Sequence, residues 1–146
     1  MKNSIIVLAL IIIIILISIS FYYIRFEHGE IKNKVTIEMI AKQWRFEVVS
    51  IDNPKLASFN FTPISNTLGN LTITIKLNTL VKLNIKSVDI THGFAIDEYR
   101  INEVIPSNQI VEIEFIANKQ GIFVFYCSVF CGTGHPYHKG YLIVIP

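Results

Sequence analysis

Residues 121–145 read GIFVFYCSVFCGTGHPYHKGYLIVI, and this stretch says most about the fold. It begins with an apolar run, Gly121 to Cys127, and ends with a second, Tyr141 to Ile145. Uniformly apolar runs of this length, rich in β-branched and aromatic residues, are typical of strands inside a sheet. The stretch therefore predicts two inner strands joined by a loop of thiol and imidazole side chains.

Outside this stretch, apolar and polar residues alternate with a period of two. Such alternation predicts strands with one face in the core and one in water, and it runs through residues 35–39, 71–77, 81–85 and 111–115. Turn signals separate the strands at residues 52–54, 69–70, 106–108 and 118–121. Residues 52–69 are the least regular and predict a weak strand near Phe59 and Phe61 beside a surface loop. The sequence therefore predicts an all-β protein, a β-sandwich with Greek-key connections.

Length and charge exclude several classes of protein. Over 146 residues, 13 Lys and Arg stand against 11 Asp and Glu, and 51% of the residues are hydrophobic. A chain with this balance has no basic stripe to hold nucleic acid, and it is too apolar to be disordered. Its length suits one ordinary domain, so a large multidomain enzyme is not expected.

The N-terminal segment is predicted to cross a membrane. Ser4 to Ile24 is a run of 21 residues without a charge, long enough for a helix to span the ~30 Å of a bilayer's hydrocarbon. Two tyrosines and Arg25 form an aromatic and cationic boundary at its end. The alternative is a cleaved signal peptide, but its apolar region is normally only about 7–15 residues long. We expect residues 1–25 to be a transmembrane anchor and residues 26–146 a separate domain.

The loop points to a bound metal. Cys127, Cys131, His135 and His138 lie within twelve residues, and thiolate and imidazole groups are ligands suited to copper or zinc. A disulfide is the simplest alternative outside the cytoplasm. A bridge around three residues, however, encloses too short a loop to stabilise the fold much, and it leaves both histidines unexplained. Glycines and Pro136 can supply the bends that turn His135 back toward the sulfurs.

A further histidine lies upstream, at the end of an alternating strand. His92 follows Asp89 by three residues and precedes Cys127 by 35. A lone histidine there is more often structural, but with the loop it can supply a distant ligand from a neighbouring strand. One distant ligand and a ligand-rich loop between strands resemble the copper-binding layout of a cupredoxin sandwich.

These motifs resemble cytochrome c oxidase subunit II, the family whose outer domain holds the dinuclear copper A centre. The family has a Cys-x-x-x-Cys-x-x-x-His loop, an upstream Asp-x-x-His motif and a Gln-Trp signature. The matching residues are Cys127, Cys131 and His135 for the loop, Asp89 and His92 for the second motif, and Gln43 and Trp44 for the signature. The resemblance covers most of the chain, with the three motifs in the family's order.

The resemblance implies a set of copper ligands. Cys127 and Cys131 would bridge two copper ions, with His92 on one ion and His135 on the other. The backbone carbonyl of Val129 would be a weak ligand to the copper held by His135. No residue of this chain is implied to be catalytic.

Two residues outside the loop would support electron transfer. Asp89 would lie behind His92 rather than on the metal. Trp44, the only tryptophan, would be the residue where an electron enters from a donor docked nearby, and the polarity pattern places it within an alternating strand. Because the net charge of the domain is near zero, the docking surface is predicted to be largely apolar.

The sequence departs from the family at two positions. Three residues beyond the loop histidine, where a methionine normally gives a weak axial contact, this chain has His138. Either His138 is an axial imidazole ligand, or it is a surface residue and the axial position is empty or filled by water. Val129 stands where many members have a glutamate that also helps to hold magnesium, so magnesium is not expected here. A single predicted membrane helix resembles the short subunit II of B-type and archaeal oxidases.

The resemblance implies an electron-transfer subunit of a haem-copper oxidase. The domain would accept single electrons from cytochrome c or a small blue copper protein. It would pass them to subunit I, the haem-bearing catalytic subunit that reduces dioxygen, and haem would be present only in that partner. The chain would cross the cell membrane once, with its N-terminus in the cytoplasm and residues 26–146 outside.

Other functions use similar residues. A structural zinc site could take Cys127, Cys131, His135 and His92 as four tetrahedral ligands. A mononuclear blue-copper carrier needs only one cysteine, so the second sulfur argues against it. The same copper module feeds some nitric oxide reductases and also the much larger nitrous oxide reductase, which needs an additional catalytic domain. The sequence leaves open which gas is finally reduced.

Overall fold

The computed structural model describes residues 10–21, 33–63 and 69–146. The chain divides into two compact units, Met1–Ile31 and Lys32–Pro146.

In the first unit, residues 10–21 form a helix, α1, whose apolar side chains are exposed. Among the residues that the structure describes, no helix has the combination of length and apolar character needed to cross a membrane. The predicted anchor extends beyond α1 into residues 1–9 and 22–25, which lie outside the described residues.

The second unit is a sandwich of two β-sheets. Its strands in the described ranges are β1 (Lys34–Lys42), β2 (Arg45–Ile51), β3 (Ala57–Pro63), β4 (Gly69–Lys76), β5 (Thr79–Ser87), β6 (His92–Ile96), β7 (Ile101–Ile105), β8 (Ile110–Ala117), β9 (Gly121–Tyr126) and β10 (Lys139–Ile145). One sheet has the order β2-β1-β5-β8 and the other β3-β4-β10-β9-β6-β7. β1 pairs with β5, and β4 with β10, in parallel. The chain changes sheet repeatedly, so strands adjacent in space are often distant in sequence.

The predicted alternation is confirmed as alternate burial. In β1, Val35, Ile37 and Met39 are buried, whereas Thr36 and Glu38 are not. β4 and β5 follow the same rule, and the buried faces of both sheets enclose one hydrophobic core. The weak strand predicted near Phe59 is confirmed as β3, at the edge of the six-stranded sheet.

The two apolar runs that flank the loop form β9 and β10, which lie inside the six-stranded sheet as predicted. Only one face of β9 turns toward the core: Phe125 is buried there and Phe123 is partly buried, whereas 69% of Ile122 and 41% of Val124 are exposed. The uniformly apolar character of β9 therefore does not reflect burial on both faces.

Two local predictions are wrong. Trp44 is not within a strand but in the tight turn of Gln43 and Trp44 between β1 and β2. This turn pairs Lys42 with Arg45. Neither of its two residues is a Gly, Asn, Asp, Pro or Ser, the residue types that mark tight turns in a sequence, so the turn is not visible there. His92 does not end the preceding strand but begins β6 in the other sheet. All five residues of β6 are buried, so this strand shows no alternation.

Candidate metal centre

The loop from Cys127 to His138 is held at both ends by neighbouring strands. Tyr126, the last residue of β9, pairs in antiparallel register with Lys139, the first residue of β10. The N–H of Cys127 donates to the carbonyl of His138 at 2.9 Å. Gly132 has a φ of +110°, which residues with a side chain rarely adopt. The sandwich thus fixes where the cysteines and histidines of the loop lie.

The start of β6 lies against this loop. His92 is fully buried, and the N–H of the next residue, Gly93, donates to Sγ of Cys127 at 3.4 Å. The segment that precedes β6 is tied to the connection between β7 and β8, because the Ser107 hydroxyl donates to the carbonyl of Asp89. The structure therefore confirms that His92 approaches the loop from a separate strand.

Two free thiols lie at the centre of the site. The sulfurs of Cys127 and Cys131 are buried and 3.7 Å apart, well beyond the ~2.05 Å of a disulfide. Nδ1 of His92 lies 3.8 Å from Sγ of Cys127, and Nδ1 of His135 lies 3.6 Å from Sγ of Cys131. The backbone oxygen of Val129 is 3.1 Å from Sγ of Cys127. Each sulfur therefore has an imidazole of its own.

His138 is buried, so its interpretation as a surface residue is wrong. Only 1% of the residue is exposed, and its Nδ1 lies 3.6 Å from Sγ of Cys131. The imidazole packs against the rings of Phe46 and His92, with centroids 4.2 and 5.0 Å away. Its Nε2 has no hydrogen-bond partner among the described residues, and leaving a buried polar atom unsatisfied costs about 1–3 kcal/mol.

Four side chains form a compact group of donors. One ligand atom from each of His92, Cys127, Cys131 and His138 lies within 4.8 Å of the other three, and all four residues are buried. His135 is only partly buried and lies outside this group. The compact group thus differs from the four ligands of the zinc alternative, because it contains His138 in place of His135.

Asp89 orients His92 from behind. Its Oδ1 lies 2.7 Å from Nε2 of His92 and accepts the proton on that nitrogen. Its Oδ2 accepts a hydrogen bond from the N–H of Gln43 at 2.8 Å. A proton on Nε2 leaves the lone pair on Nδ1, the atom that faces Cys127. Partial burial raises the pKa of Asp89, but the hydrogen bonds from Gln43, His92 and Ile90 outweigh burial, and the pKa lies below its ordinary value. Asp89 is therefore ionised at neutral pH.

The two thiols differ in acidity. Burial raises the pKa of Cys127, but the neighbouring imidazoles of His138 and His92 and the N–H of Gly93 outweigh it and lower the pKa to about 4. Burial and the negative charge of Cys127 raise the pKa of Cys131 to about 12. Without metal the pair therefore holds one thiolate and one thiol. A cation between the sulfurs removes their repulsion, so metal binding is expected to release a proton.

The sequence does not reveal the role of Gln43. Its Nε2 donates to the carbonyl of Cys131 at 2.7 Å, and Nε1 of Trp44 donates to the same oxygen at 2.9 Å. The indole lies over Gly134, where a Cβ would come within 2.3 Å of the ring. The β1–β2 turn therefore holds the backbone of the metal loop. The Gln-Trp pair is visible in the sequence, but nothing there indicates a partner 88 residues away.

Two large side chains of the loop are exposed beside the centre. Phe130 is 78% exposed and Tyr137 is 60% exposed. The ring of Phe130 lies 5.7 Å from that of His135. This part of the loop therefore offers an apolar surface next to a partly buried imidazole.

The donor atoms fit a thiolate and imidazole metal centre. Metal–sulfur bonds of about 2.3 Å and metal–nitrogen bonds of about 2.0–2.1 Å place tetrahedral ligand atoms roughly 3.4–3.8 Å apart. The sulfur–sulfur distance of 3.7 Å and the sulfur–nitrogen distances of 3.6–3.8 Å lie in this range. Both the spacing and the softness of the donors suit copper or zinc.

The β-sandwich and its buried cysteine and histidine cluster define the class of this protein, a cupredoxin-like metal-binding domain. The sequence model of the family "Cytochrome C oxidase subunit II, periplasmic domain" matches residues 35–145. The chain therefore belongs to this family, as its motifs predict.

Relatives in sequence include two kinds of enzyme. A nitrous-oxide reductase of Ralstonia nicotianae is 40% identical over 67 residues, which cover 45% of this chain and 10% of the relative. A cytochrome c oxidase subunit 2 of Acheta domesticus is 22% identical over 116 residues, 70% of this chain and 49% of the relative. The chain thus spans no more than about half the length of these relatives.

Solved structures share the fold. The periplasmic domain of subunit II of cytochrome oxidase of Bradyrhizobium japonicum superposes with a TM-score of 0.62 at 23% identity, covering 76% of this chain and 83% of that one. A chain of a heme-copper terminal oxidase dimer gives a TM-score of 0.59 at 18% identity and covers 99% of both chains. These similarities confirm the predicted cupredoxin-like sandwich.

Proposed function

We propose that the chain is the copper A subunit of a haem-copper oxidase, which receives single electrons and passes them to a haem-bearing catalytic subunit. One observation carries this proposal: two free thiols 3.7 Å apart, each with an imidazole Nδ1 within 3.8 Å. This is the donor arrangement that two bridging sulfurs and two terminal imidazoles require. Membership of the subunit II family supports the same assignment.

Cys127 and Cys131 would hold two copper ions between them, with His92 and His135 as the terminal ligands and the Val129 carbonyl as a weak one. Two copper ions bridged by thiolates share one odd electron, so gain or loss of that electron changes each bond little. The chain supports this by keeping the donors still. Both ends of the loop lie on paired strands, and the two cysteines are buried away from water.

Trp44 would be the residue where electrons enter. Its indole nitrogen donates to the carbonyl of Cys131, so a short hydrogen-bonded path leads from the ring to a bridging sulfur. The exposed Phe130 and Tyr137 supply an apolar surface on the same loop. Cytochrome c or a small blue copper protein would be the donor.

We also propose that the N-terminal segment anchors the chain in a membrane. Residues 1–25 would anchor the chain once in the cell membrane, with the N-terminus in the cytoplasm and residues 26–146 outside, beside subunit I. The uncharged run of 21 residues and the exposed apolar side chains of α1 support this. Protease added to intact cells or spheroplasts should digest the domain if it lies outside and leave it untouched if it lies inside.

A nitrogen oxide is the second candidate for the final acceptor. Identity to a stretch of the nitrous-oxide reductase of Ralstonia nicotianae is 40%, higher than the 22% to the Acheta domesticus oxidase subunit. The donor-facing chemistry of this chain would be the same with either acceptor, because the partner subunit determines which gas is reduced.

The test of electron acceptance uses the full chain loaded with copper or, as a matched control, with zinc. Each preparation is mixed with reduced cytochrome c, and oxidation of the cytochrome is followed by its absorbance. We expect the copper-loaded chain to accept one electron per pair of coppers and the zinc-loaded chain to accept none. Failure of the copper-loaded chain to oxidise both reduced cytochrome c and a reduced small blue copper protein would show that the site is structural.

The same assay tests Trp44. We expect Trp44→Leu to lower the second-order rate constant several-fold at unchanged copper content, because the indole path to Cys131 is lost. Phe59→Leu, a partly exposed aromatic on the edge strand β3, is the matched control and should react like the unaltered chain. Equal rate constants for the unaltered chain and both variants would show that electrons do not enter through Trp44.

A further inference from the structure

The two halves of the metal loop are held in different ways. In the second half, three N–H groups donate to backbone carbonyls of the same loop and form the turn around His135–Tyr137. The carbonyl of Cys131, in the middle, accepts two hydrogen bonds from the β1–β2 turn. Within the described part of the chain, no backbone hydrogen bond holds residues 128–130. The first half of the loop therefore depends on side-chain contacts.

One side-chain hydrogen bond reaches this first half from another strand. Oγ of Ser128 donates to Oδ1 of Asn102 at 2.7 Å. Asn102 belongs to β7, which is separated from β9 by β6 in the sheet. Its partner in β6 is Ala95, which also pairs with Tyr126 at the end of β9. The Ser128–Asn102 hydrogen bond thus crosses over β6.

The two smallest residues of β6 lie where this hydrogen bond crosses the strand. Gly93 and Ala95 are two positions apart, so they lie on the same face of the sheet. A Cβ at Gly93 would come within 2.2 Å of Oγ of Ser128 and within 2.8 Å of the backbone nitrogens of Ser128 and Val129. The backbone of residues 127–129, the first turn of the metal loop, therefore lies directly against β6.

This first turn carries two donors of the proposed copper site. The backbone oxygen of Val129 lies 3.1 Å from Sγ of Cys127, and the N–H of Gly93 donates to the same sulfur at 3.4 Å. Since that N–H belongs to β6, its hydrogen bond to the sulfur depends on the turn staying against the strand.

We propose that Asn102 is a positioning residue, which holds the first turn of the metal loop against β6 through Ser128 before any metal binds. Donors that are already in place spare metal binding the cost of ordering them. The inference rests on the proposed metal function and adds a residue on β7 that supports the site without touching the metal.

The expected effect is local and modest. Asn102 is exposed and Ser128 is only partly buried, so substitution of either leaves the core unchanged. One neutral hydrogen bond shifts an equilibrium by about 2–10-fold. Loss of this bond should therefore raise the population of an opened first turn by that factor. Cys127 would be uncovered, whereas Cys131 stays held by Gln43 and Trp44.

The experiment measures alkylation of the two cysteines in the full 146-residue chain, metal-free and with reduced thiols. Iodoacetamide is added to low conversion, and peptide mass spectrometry gives the rate at each cysteine. We expect Asn102→Leu to raise the ratio of the Cys127 rate to the Cys131 rate by about 2–10-fold. Ser128→Ala should do the same, and the double variant should go no further, because both substitutions remove one hydrogen bond.

Two further variants serve as controls. Asn102→Asp keeps the accepting oxygen and should restore the ratio of the unaltered chain. Asn118→Leu changes an exposed asparagine in the β8–β9 connection and should leave the ratio as it is. Circular dichroism checks that each variant folds.

Two results would overturn the inference. One is an unchanged ratio in Asn102→Leu, whether neither rate rises or both rise equally, since equal acceleration indicates a general loosening. The other is an additive effect of Asn102→Leu and Ser128→Ala in the double variant. Neither result depends on copper. A chain that binds fewer than two coppers would refute the proposed function, while the ratio would still decide the role of Asn102.

Discussion

Asp89 joins three parts of the centre through its two carboxylate oxygens. It accepts the Nε2 proton of His92, the N–H of Gln43 and the N–H of Ile90. The carboxylate thus sets the tautomer of His92 and fixes the turn that carries Gln43 to the backbone of the metal loop. A substitution of Asp89 is therefore expected to change the metal affinity, although Asp89 is not itself a ligand.

We predict that Asp89→Asn weakens copper binding by about 10–100-fold, the range measured for lost carboxylate support of a metal-binding histidine. An amide can still fill the space, but it does not attract the proton on Nε2 as a carboxylate does. Competition with a copper chelator measures the affinity. The exposed Glu103 of β7 offers a matched control, since Glu103→Gln removes the same charge and should leave the affinity unchanged. Equal affinities for both variants would contradict the role given to Asp89.

At the scale of residues, the sequence motifs predict His92, Cys127, Cys131 and His135. The structure places the first three in one buried group and His135 beside Cys131 at its rim. The sequence leaves two interpretations of His138. That choice depends on Phe46, which covers the imidazole and belongs to a strand far away in the sequence. Hydrogen-bond partners such as Gln43 also depend on tertiary structure, so no local pattern could indicate them.

The turn between β1 and β2 is braced by charge as well as by hydrogen bonds. Glu47 pairs with Lys42 at 2.9 Å and with Arg45 at 2.7 Å, one cation on each side of the turn. Partial burial raises the pKa of Glu47, but the hydrogen bonds and charges of Lys42 and Arg45 outweigh it, and the pKa lies below its ordinary value. The turn that carries Trp44 is therefore stabilised by an ionised Glu47.

This braced turn predicts a dependence of stability on pH. A carboxylate with a lowered pKa stabilises the fold fully above its unfolded pKa of about 4.3, and the contribution is lost as pH falls through the lower folded value. We expect the metal-free chain to lose free energy of unfolding toward acidic pH, and Glu47→Gln to lose less over the same interval. Urea unfolding at neutral and acidic pH measures both. If the free energy of unfolding falls equally in the two proteins between neutral and acidic pH, Glu47 does not contribute to the pH dependence.

Gly134 connects the metal loop to the same turn. Its φ of −86° is ordinary, so the constraint is steric: a Cβ would lie 2.3 Å from the indole of Trp44. We predict that Gly134→Ala displaces the indole, shifts its fluorescence to longer wavelength and weakens its hydrogen bond to Cys131. Since Trp44 is the only tryptophan, the emission spectrum reports on this ring alone. Thr133→Ala, an exposed position in the same loop, is the control, and an identical spectrum for Gly134→Ala would contradict the prediction.

At the scale of elements, strands with one face in the core are predictable because their polarity alternates, as in β1, β4 and β5. β6 is not predictable in this way, because all its residues are buried, and β7 has only five residues between turns. The Gln43–Trp44 turn is hidden for another reason. Neither Gln43 nor Trp44 is a residue type that marks a tight turn. The other sign is only a change of phase, since the buried positions are odd-numbered in β1 whereas the buried Phe46 of β2 is even-numbered.

Charge is the property of the whole molecule that bears on its partners. Apart from Lys2, the 13 Lys and Arg and the 11 Asp and Glu all lie beyond residue 24, so twelve positive side chains face eleven negative ones. A nearly neutral domain has little long-range field to steer a charged donor. The apolar surface of Phe130 and Tyr137 beside the metal loop fits the same expectation.

We therefore predict that the rate of cytochrome c oxidation changes little with salt. Raising the ionic strength from ~0.01 M to ~0.15 M shortens the Debye length from about 30 Å to about 8 Å. A steered reaction would slow steeply over this range, whereas docking on an apolar surface would not. Stopped-flow measurement of the rate constant across the series tests this, and a steep decline would show that local charge governs docking.

The β-sandwich was predictable at this scale because strand periodicity and turn signals recur along the chain, and the two apolar runs of residues 121–127 and 141–145 placed the metal loop between two strands. The sheet order was not, since pairs such as β1 with β5 and β4 with β10 join segments that are distant in sequence. Which strands meet depends on how the two sheets close the core, which alternation alone does not specify.

Our central proposal is that Cys127 and Cys131 bridge two copper ions that share one electron. Metal analysis and electron paramagnetic resonance of the copper-loaded full chain test it most directly. We expect two coppers per chain and hyperfine splitting from two equivalent copper nuclei. One copper per chain, with splitting from a single nucleus, would contradict it.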